Sequence, residues 1–275
     1  MTRPVVVGVD GSGPARQAAA WAAQEADLRD APLQIACVLE RVPAGPPLVA
    51  EAILARCASV AHIAAPSRVA QTGTWFGRPA PVLSRLAAHA ELLVVGHHGS
   101  GRVRPAPGST AARLARRHVG ALAVVRHAPG RPLPDRGRPV VVAVDGEPGS
   151  AALAHHAAAL AALRGAELSV VHVRRDGSRD GAGRRESYTL LAERALEELT
   201  ETFVVAHPGL TVHTTVAGGR PALTLLEHAE DAQFVLVGRH AGLGVGACAT
   251  VLLQASACPV LIVDPARVAS ALTPA

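Results

Sequence analysis

The sequence contains no lysine, because all 27 residues counted as Lys or Arg are arginines. This absence excludes a Walker A phosphate loop, a Schiff-base enzyme and a protein kinase, each of which requires a lysine amine. The formal net charge is +5. The arginines are nevertheless scattered, and no aromatic residues interleave with them for base stacking, so we expect no nucleic-acid partner.

Aromatic residues are also scarce, at 2% of the chain against 49% for all hydrophobic residues. The core must therefore be built from Val, Leu, Ile and Ala, which favours helices packed on a sheet. With 275 residues, the chain is long enough for one large domain or two of ordinary size.

Cysteine and histidine show no pattern typical of a metal site or a disulfide framework. The four cysteines form no C-x-x-C pair, so we interpret them as small apolar residues in a reducing compartment and expect a cytoplasmic protein. The 13 histidines form no H-x-x-x-H or H-E-x-x-H motif, and we interpret them as surface or loop residues. We find no signal segment and no apolar run of membrane-spanning length, so we expect no membrane association.

An internal repeat is the strongest organising feature of the sequence. Three segments of the first half return in the same order in the second half, which predicts two copies of one domain. The matching pairs are PVVVGVDGS at 4–12 with PVVVAVDGE at 139–147, GRPAPVL at 77–83 with GRPALTL at 219–225, and ELLVVG at 91–96 with QFVLVG at 233–238.

The repeat predicts a first domain over 1–127 and a second over 139–264. Between them, residues 128–138 are rich in Pro, Gly and charge, which is typical of a linker. Residues 265–275 remain as a tail.

Within each copy, short β-branched runs alternate with Ala-rich stretches of helical period. Runs such as VVVGV are apolar at every position, as in strands covered on both faces of a parallel sheet. We therefore predict two Rossmann-like, doubly wound α/β domains, each with five strands. In the first copy the strands are predicted near 4–9, 33–39, 67–72, 91–96 and 121–126, and the helices near 14–29, 47–63, 79–89 and 109–118.

Ligands bind open parallel sheets beyond the carboxyl ends of the strands. Asp10 follows the first strand there, and two interpretations are open: a hydrogen-bond acceptor for a ribose, or a turn and helix-capping residue. After the fourth strand, a glycine-rich loop leads into a helix that begins with Gly108-Ser109-Thr110. Exposed amides, hydroxyls and a helix N-terminus together predict a phosphate cradle. Arg102 and Arg104 lie within that loop and are candidates for anion contact.

These motifs resemble those of the universal stress protein family. Its nucleotide-binding members carry an Asp after the first strand and a loop of the form G-x2-G-x9-G-[S/T] after the fourth. Both copies also match the family's G-x-P-A, at residues 77–80 and 219–222, and CPVLIV at 258–263 is similar to its closing strand. In one departure, eight residues rather than nine separate Gly99 from Gly108.

The resemblance implies two tandem adenine nucleotide alpha hydrolase-like domains and an ATP site in the first. Mg²⁺ would accompany the phosphates of the bound nucleotide. It also implies that the fifth strands, near 122–124 and 260–262, pair the two domains, and that the protein forms a homodimer. The residues implied at the ATP site are Asp10 at the adenosine, the backbone of Val38 at the adenine, and Gly96, Gly99, Gly108, Ser109 and Thr110 at the phosphates.

The second copy keeps Asp145 and Val173 but loses much of the loop. Ala241 replaces the second glycine, Ala247 replaces the hydroxyl residue, and the connection is four residues shorter. We therefore expect a degenerate phosphate loop without ATP. A cavity at the ends of the first and fourth strands that is open in the first copy and filled in the second would agree with this prediction.

Three functions remain open. The first is a stress-response regulator that binds ATP in its first domain. The alternative is a nucleotide-free scaffold or interaction protein on the same fold. A small-molecule enzyme of the wider class would need an SGG-x-D-S loop after the first strand, which VDGSGP resembles only distantly. Because we find no G-x-S-x-G elbow and no Cys placed beside a His, we expect no enzyme beyond slow ATP hydrolysis.

Overall fold

The chain divides into two compact units, residues 1–133 and 134–275. The computed structural model describes residues 2–97, 109–117, 120–126, 133–147, 149–175, 182–239 and 245–272. Both units are α/β, and each has a parallel sheet, as predicted.

The first unit alternates strands and helices along the chain. A short 3-10 helix (Ala87–His89) extends the third helix before the fourth strand. The elements are β1 (Val5–Val9), α1 (Gly13–Leu28), β2 (Leu33–Leu39), α2 (Leu48–Ala64), β3 (Ala70–Phe76), α3 (Pro79–Leu86), β4 (Leu92–Gly96), α4 (Thr110–Arg117) and β5 (Leu122–Val125).

The first sheet has the strand order β3-β2-β1-β4-β5, and every pairing is parallel. β1 lies between β2 and β4, so the chain crosses to one side after β1 and to the other after β3. The carboxyl ends of β1 and β4 therefore flank the switch point, where α/β proteins bind ligands.

Burial on both faces explains why these strands are apolar throughout. All four residues of β5 are buried, and so are Leu92 to Val95 of β4. Helices α1 and α2 pack against each other and on β1 and β2, whereas α3 packs against α4 and on β2 and β3. The sheet thus lies between two helix layers.

The second unit repeats this plan and then adds a helix. Its elements are β6 (Val140–Val144), α5 (Ser150–Arg164), β7 (Leu168–Arg175), α6 (Ala182–Ala206), β8 (Val212–Gly219), α7 (Pro221–Glu230), β9 (Phe234–Gly238), α8 (Ala247–Ala255), β10 (Val260–Val263) and α9 (Pro265–Leu272).

The second sheet has the order β10-β9-β6-β7-β8, again parallel. Its register copies that of the first sheet, since Val144 pairs with His172 as Val9 pairs with Cys37. Helix α9 packs on α5 and occupies the segment that the sequence analysis leaves as a tail. Across the described ranges, none of the helices combines the length and the apolarity needed to span a membrane.

The predicted position of the third strand, 67–72, is wrong by three to four residues, because β3 covers Ala70–Phe76. Arg68 lies before the strand and forms ion pairs with Asp27 and Asp30 at the end of α1. β3 is an edge strand with half-exposed and exposed residues, so its sequence lacks the apolar run that marks the central strands. Its pairing with β2 continues to Phe76.

Candidate functional site

Asp10 lies immediately after β1 at the switch point of the first sheet. Its Oδ1 accepts the backbone N–H of Ser12 at 3.0 Å, and the Ser12 hydroxyl accepts the N–H of Ala15 at 3.2 Å, which caps α1. The Asp10 side chain is exposed. Asp10 therefore serves as a turn residue and also presents a carboxylate at the edge of the sheet.

Val38 is the second-last residue of β2, and its backbone direction follows from its neighbours. The carbonyl of Pro32 accepts the N–H of Val5, so backbone groups at even positions of this strand point towards β1. The carbonyl of Leu39 accepts the N–H of Gly77 and points the other way. Because the last β1 residue pairs with Cys37, the Val38 carbonyl points to the space beyond the end of β1.

Gly96 ends β4 where that strand meets the first turn of α1. A Cβ at this position would lie 2.7 Å from the backbone carbon of Pro14 and 2.9 Å from the nitrogen of Ala15. Only glycine permits this approach without a backbone shift. The structure therefore gives Gly96 a packing role beside its predicted contact with phosphate.

Ser109 and Thr110 begin α4, which starts at the carboxyl end of the sheet because it follows β4 in a parallel crossover. The Ser109 hydroxyl accepts the N–H of Ala112 at 3.2 Å and its carbonyl accepts the N–H of Arg113 at 3.0 Å. The arginines of α4 are exposed, as expected for a solvated face. Gly99 and Gly108, predicted at the phosphates, and the loop residues Arg102 and Arg104 lie outside the described residues.

A side chain from α2 covers the turn after β1. A Cβ on Gly11, which has a φ of +83°, would lie 3.0 Å from Cγ1 of Ile53. Below this turn, Cys37 and Cys57 are buried and form no disulfide. Burial raises the pKa of the Cys57 thiol to about 11, so it is protonated at neutral pH and behaves as a small apolar group.

The corresponding edge of the second unit is open. A cavity of about 310 Å³ lies where β6, β7 and β9 end, so this edge is not filled. The cavity is lined by Ala143, Val144, Asp145, Val171, His172, Val173, Arg174, Tyr188, Pro221, Leu225, Val237, Gly238, Gly246, Ala247, Cys248 and Ala249.

His172 and Tyr188 form a hydrogen-bonded pair in the wall of this cavity. Nδ1 of His172 lies 3.0 Å from the carbonyl oxygen of Val144, and Nε2 lies 3.0 Å from the Tyr188 oxygen. The two rings are stacked with centroids 5.9 Å apart, and the Arg174 guanidinium lies over the tyrosine ring at 5.9 Å.

The interpretation of the histidines as surface or loop residues is therefore wrong for His172, which is 6% exposed. The sequence did indicate this site, because His172 comes directly before Val173, which the second copy keeps at the end of an apolar strand. Tyr188, the single tyrosine of the chain, carried no sequence signal for this site, because only the packing of α6 on the sheet brings it to the cavity.

The remaining wall of the cavity comes from the N-terminus of α8. Gly246 occupies the N-cap position and no side chain caps the helix there. Gly246 and Ala247 therefore stand where the first unit has Ser109 and Thr110 at the start of α4. Among the described residues, no group of three or more His, Cys, Asp or Glu side chains is arranged to hold a metal ion.

With this geometry established, comparison with known proteins identifies the family. The universal stress protein family model matches residues 1–126 and, a second time, residues 137–264. The chain belongs to the universal stress protein family. The resemblance predicted from its motifs is therefore confirmed, as is the tandem arrangement.

Relatives of this universal stress protein match it over almost its whole length. A universal stress protein of Mycolicibacterium smegmatis is 30% identical, covering 95% of this chain and 97% of the relative. One of Mycobacterium tuberculosis is 32% identical, covering 95% and 96%. The crystal structure of a universal stress protein from Archaeoglobus fulgidus has a TM-score of 0.68 at 18% identity over 95% of this chain and 96% of that one, which supports the fold alone.

Proposed function

We propose that this universal stress protein binds ATP in its first unit and acts as a cytoplasmic stress-response regulator whose nucleotide state alters its partners. The observation that carries the proposal is the arrangement at the end of β1. There the Val38 carbonyl points to the space beyond the end of β1, and Asp10 directly follows that strand with its carboxylate exposed.

These two groups fit the two halves of adenosine. A backbone carbonyl at a strand end can accept a hydrogen bond from the exocyclic amine of an adenine, just as it would accept one from the N–H of a neighbouring strand. A carboxylate accepts hydrogen bonds from ribose hydroxyls.

The start of α4 fits the phosphates. Ser109 and Thr110 lie at a helix N-terminus, where backbone N–H groups and the helix dipole favour an anion. The Ser109 hydroxyl accepts a bond from Ala112, which leaves its own proton available for a phosphate oxygen. Gly99 and Gly108 would add backbone amides from the loop. Mg²⁺ would be held chiefly by the phosphates.

Regulation fits this unit better than catalysis. Asp10 lies at the switch point, and the two cysteines close to its turn are Cys37 and Cys57. Both are buried, and burial raises the pKa of both thiols. Neither thiol is therefore an activated nucleophile. Binding rather than turnover is thus the proposed activity. A homodimer remains a prediction from the family resemblance.

The test begins with the purified full-length chain, which is denatured and assayed for co-released adenine nucleotide. ATP is then titrated into the wild type, Asp10→Ala and Gly108→Val, with Asp145→Ala as the matched control in the second unit. We expect Asp10→Ala and Gly108→Val each to raise the Kd for ATP about tenfold or more. The first loses a charge-assisted hydrogen bond, and the second blocks the close approach of a backbone amide to the phosphates. Asp145→Ala should bind ATP as the wild type does.

Circular dichroism distinguishes lost binding from lost folding in each variant. If the wild type neither carries nor binds adenine nucleotide, the proposal fails, and the nucleotide-free scaffold becomes the function of the fold. If the wild type binds ATP and neither Asp10→Ala nor Gly108→Val weakens that binding, the ATP site is not the one proposed in the first unit.

A further inference from the structure

We propose that the exposed side of α6 is a contact surface for a second copy of this chain, in which the two α6 helices pack antiparallel across a two-fold axis. The interface uses no residue of the fifth strands, β5 and β10, and none of the residues proposed to bind ATP. It is therefore independent of the nucleotide site of the first unit.

Helix α6 is held to the second unit by one side only. Leu196 is 6% exposed and Phe203 is fully buried, and these two residues lie seven positions apart, so they share one face of the helix. That face packs on β8, the edge strand of the second sheet, and on α5. The opposite face is directed to solvent.

Large apolar side chains lie on this solvent side. Leu190 and Leu191 are 59% and 67% exposed, and Val204 and Val205 are 51% and 83% exposed. The solvent side of a helix in a globular protein normally carries polar and charged residues. Exposed apolar residues that are grouped and bordered by charges mark an interaction surface.

The spacing of this side suits another helix. Leu191, Arg194, Glu198, Glu201 and Val205 follow one another at intervals of three and four residues, and all five are exposed. Such a repeat, with a mean of 3.5 residues, keeps one line of side chains facing a partner helix along its length. We call these five residues the α6 line.

The α6 line is complementary to itself when two copies run in opposite directions. With Glu198 at the two-fold axis, Leu191 of each copy lies beside Val205 of the other, because both are seven residues from the centre. In the same register Arg194 of each copy lies beside Glu201 of the other. A two-fold interface of this kind uses one surface patch twice, so each apolar contact and each ion pair occurs twice. The partner that fits this surface is therefore a second copy of the chain.

The size and the centre of the interface limit its strength. The stretch from Leu190 to Val205 is about 24 Å of helix, and two such helices bury less than the roughly 1,600 Å² of a standard interface. At the axis Glu198 meets the Glu198 of the second copy, and this repulsion opposes association. We therefore expect a weak dimer with a Kd of about 10 to 100 μM.

Helix α2 is the equivalent helix of the first unit and provides a control. Val49 and Ile63, which are 70% and 79% exposed, flank Arg56 at the same spacing. However, Ala52 and Ser59 occupy the positions that correspond to Arg194 and Glu201. Two α2 helices would place Arg56 against Arg56 with no ion pair beside it, so the complementarity belongs to α6.

The test is sedimentation equilibrium of the full-length chain between about 1 and 500 μM, a range that brackets the expected Kd. We expect the mean mass of the wild type to rise with concentration. Leu191→Glu should raise the Kd about thirtyfold or more, because the two-fold axis removes the apolar contact twice. Ile63→Glu, the matched change on α2, should associate as the wild type does.

Charge exchange tests the register. Arg194→Glu and Glu201→Arg should each raise the Kd about tenfold, because each variant alone places like charges together. A mixture of these two variants should recover most of the association, since every pair at these positions then joins an arginine to a glutamate. Glu198→Gln should lower the Kd about threefold by removing the central repulsion.

Three results would overturn the proposal, provided that circular dichroism shows each variant to be folded. One is that the wild type and Leu191→Glu have the same mean mass at every concentration. Another is that Ile63→Glu weakens association as much as Leu191→Glu, which would assign the contact to α2 as well. The third is that the mixture of Arg194→Glu and Glu201→Arg associates no better than either variant alone.

Discussion

The two units share one topology and one register, yet they differ at the edge where a ligand would bind. In the first, Ile53 from α2 lies against the Gly11 turn. In the second, a cavity of about 310 Å³ lies at this edge, and α6 contributes Tyr188 to its wall, where it bonds to His172. The helix after the second strand thus brings a different side chain to this edge in each unit.

The two units also differ at the C-terminal end of their first helix. Arg29 ends α1 and forms an ion pair with Glu25 at 3.0 Å and with Glu91 at 3.4 Å. Arg164 ends α5 at the equivalent position and lies over the ring of Phe234 at 4.9 Å. One unit therefore places a buried arginine against carboxylates, and the other places it against an aromatic ring.

The largest effect is expected at this ion pair. Glu25→Ala leaves the Arg29 guanidinium, whose side chain is 7% exposed, without its close partner. We expect the free energy of unfolding of the first unit to fall by about 3 kcal/mol, because the buried guanidinium loses its nearest carboxylate and keeps only the longer contact with Glu91. Both tryptophans, Trp21 and Trp75, lie in this unit, so urea unfolding followed by tryptophan fluorescence measures it.

The control for this measurement is Glu51→Ala, which removes an exposed carboxylate from α2 and should change stability by about 0.5 kcal/mol or less. If Glu25→Ala and Glu51→Ala lose the same free energy of unfolding, the buried ion pair contributes no more than a surface charge. The difference described between the two units at this helix end would then have no energetic consequence.

A smaller effect is expected at the glycines that end the fourth strands. Gly96→Ala forces a methyl group into the backbone of Pro14 and Ala15, and we expect a loss of about 1 to 3 kcal/mol. Gly238→Ala meets the side chains of Pro265 and Leu153 at 3.3 and 3.4 Å, and side chains can move, so its loss should be below about 1 kcal/mol. Urea unfolding of the matched pair checks this order, and a reversed order would contradict the packing described for Gly96.

The smallest effect concerns pH and belongs to the second unit. Burial, with a further contribution from His207, lowers the pKa of His155 below its ordinary value of 6.5. The folded state therefore prefers the neutral ring, so the stabilising contribution of His155 is present above about pH 6.5 and is lost as the pH falls. Thermal melts between pH 7 and 5 should show an acid-induced drop in Tm that is about 2 °C smaller in His155→Gln. If the drop in Tm is the same in His155→Gln as in the wild type, His155 is not its cause.

Much of the fold was predictable because the central strands are apolar on both faces and because the same pattern of segments occurs in both copies of the repeat. The segments around Val5–Val9 and Leu92–Gly96 carry this pattern, whereas the polar edge strand β3 does not, and its position was predicted wrongly. Among the described residues, helix α9 has no counterpart in the first unit. No internal comparison could therefore predict it.

The candidate site was less predictable because its side chains come from segments far apart in sequence. Asp10 and Val38 lie at strand ends that the sequence marks. Tyr188 reaches the cavity only because α6 packs on the sheet, where it contacts β8. The shortened loop of the second copy predicted that no ATP binds there, and it gave no indication of the cavity.

The central proposal is that the first unit binds ATP and that the second does not. The most direct test counts the ATP molecules bound per chain by equilibrium dialysis with radiolabelled nucleotide. The account predicts one ATP per chain, lost in Asp10→Ala and retained in Asp145→Ala. Two ATP molecules per chain, or a single one that is lost in Asp145→Ala and retained in Asp10→Ala, would contradict it.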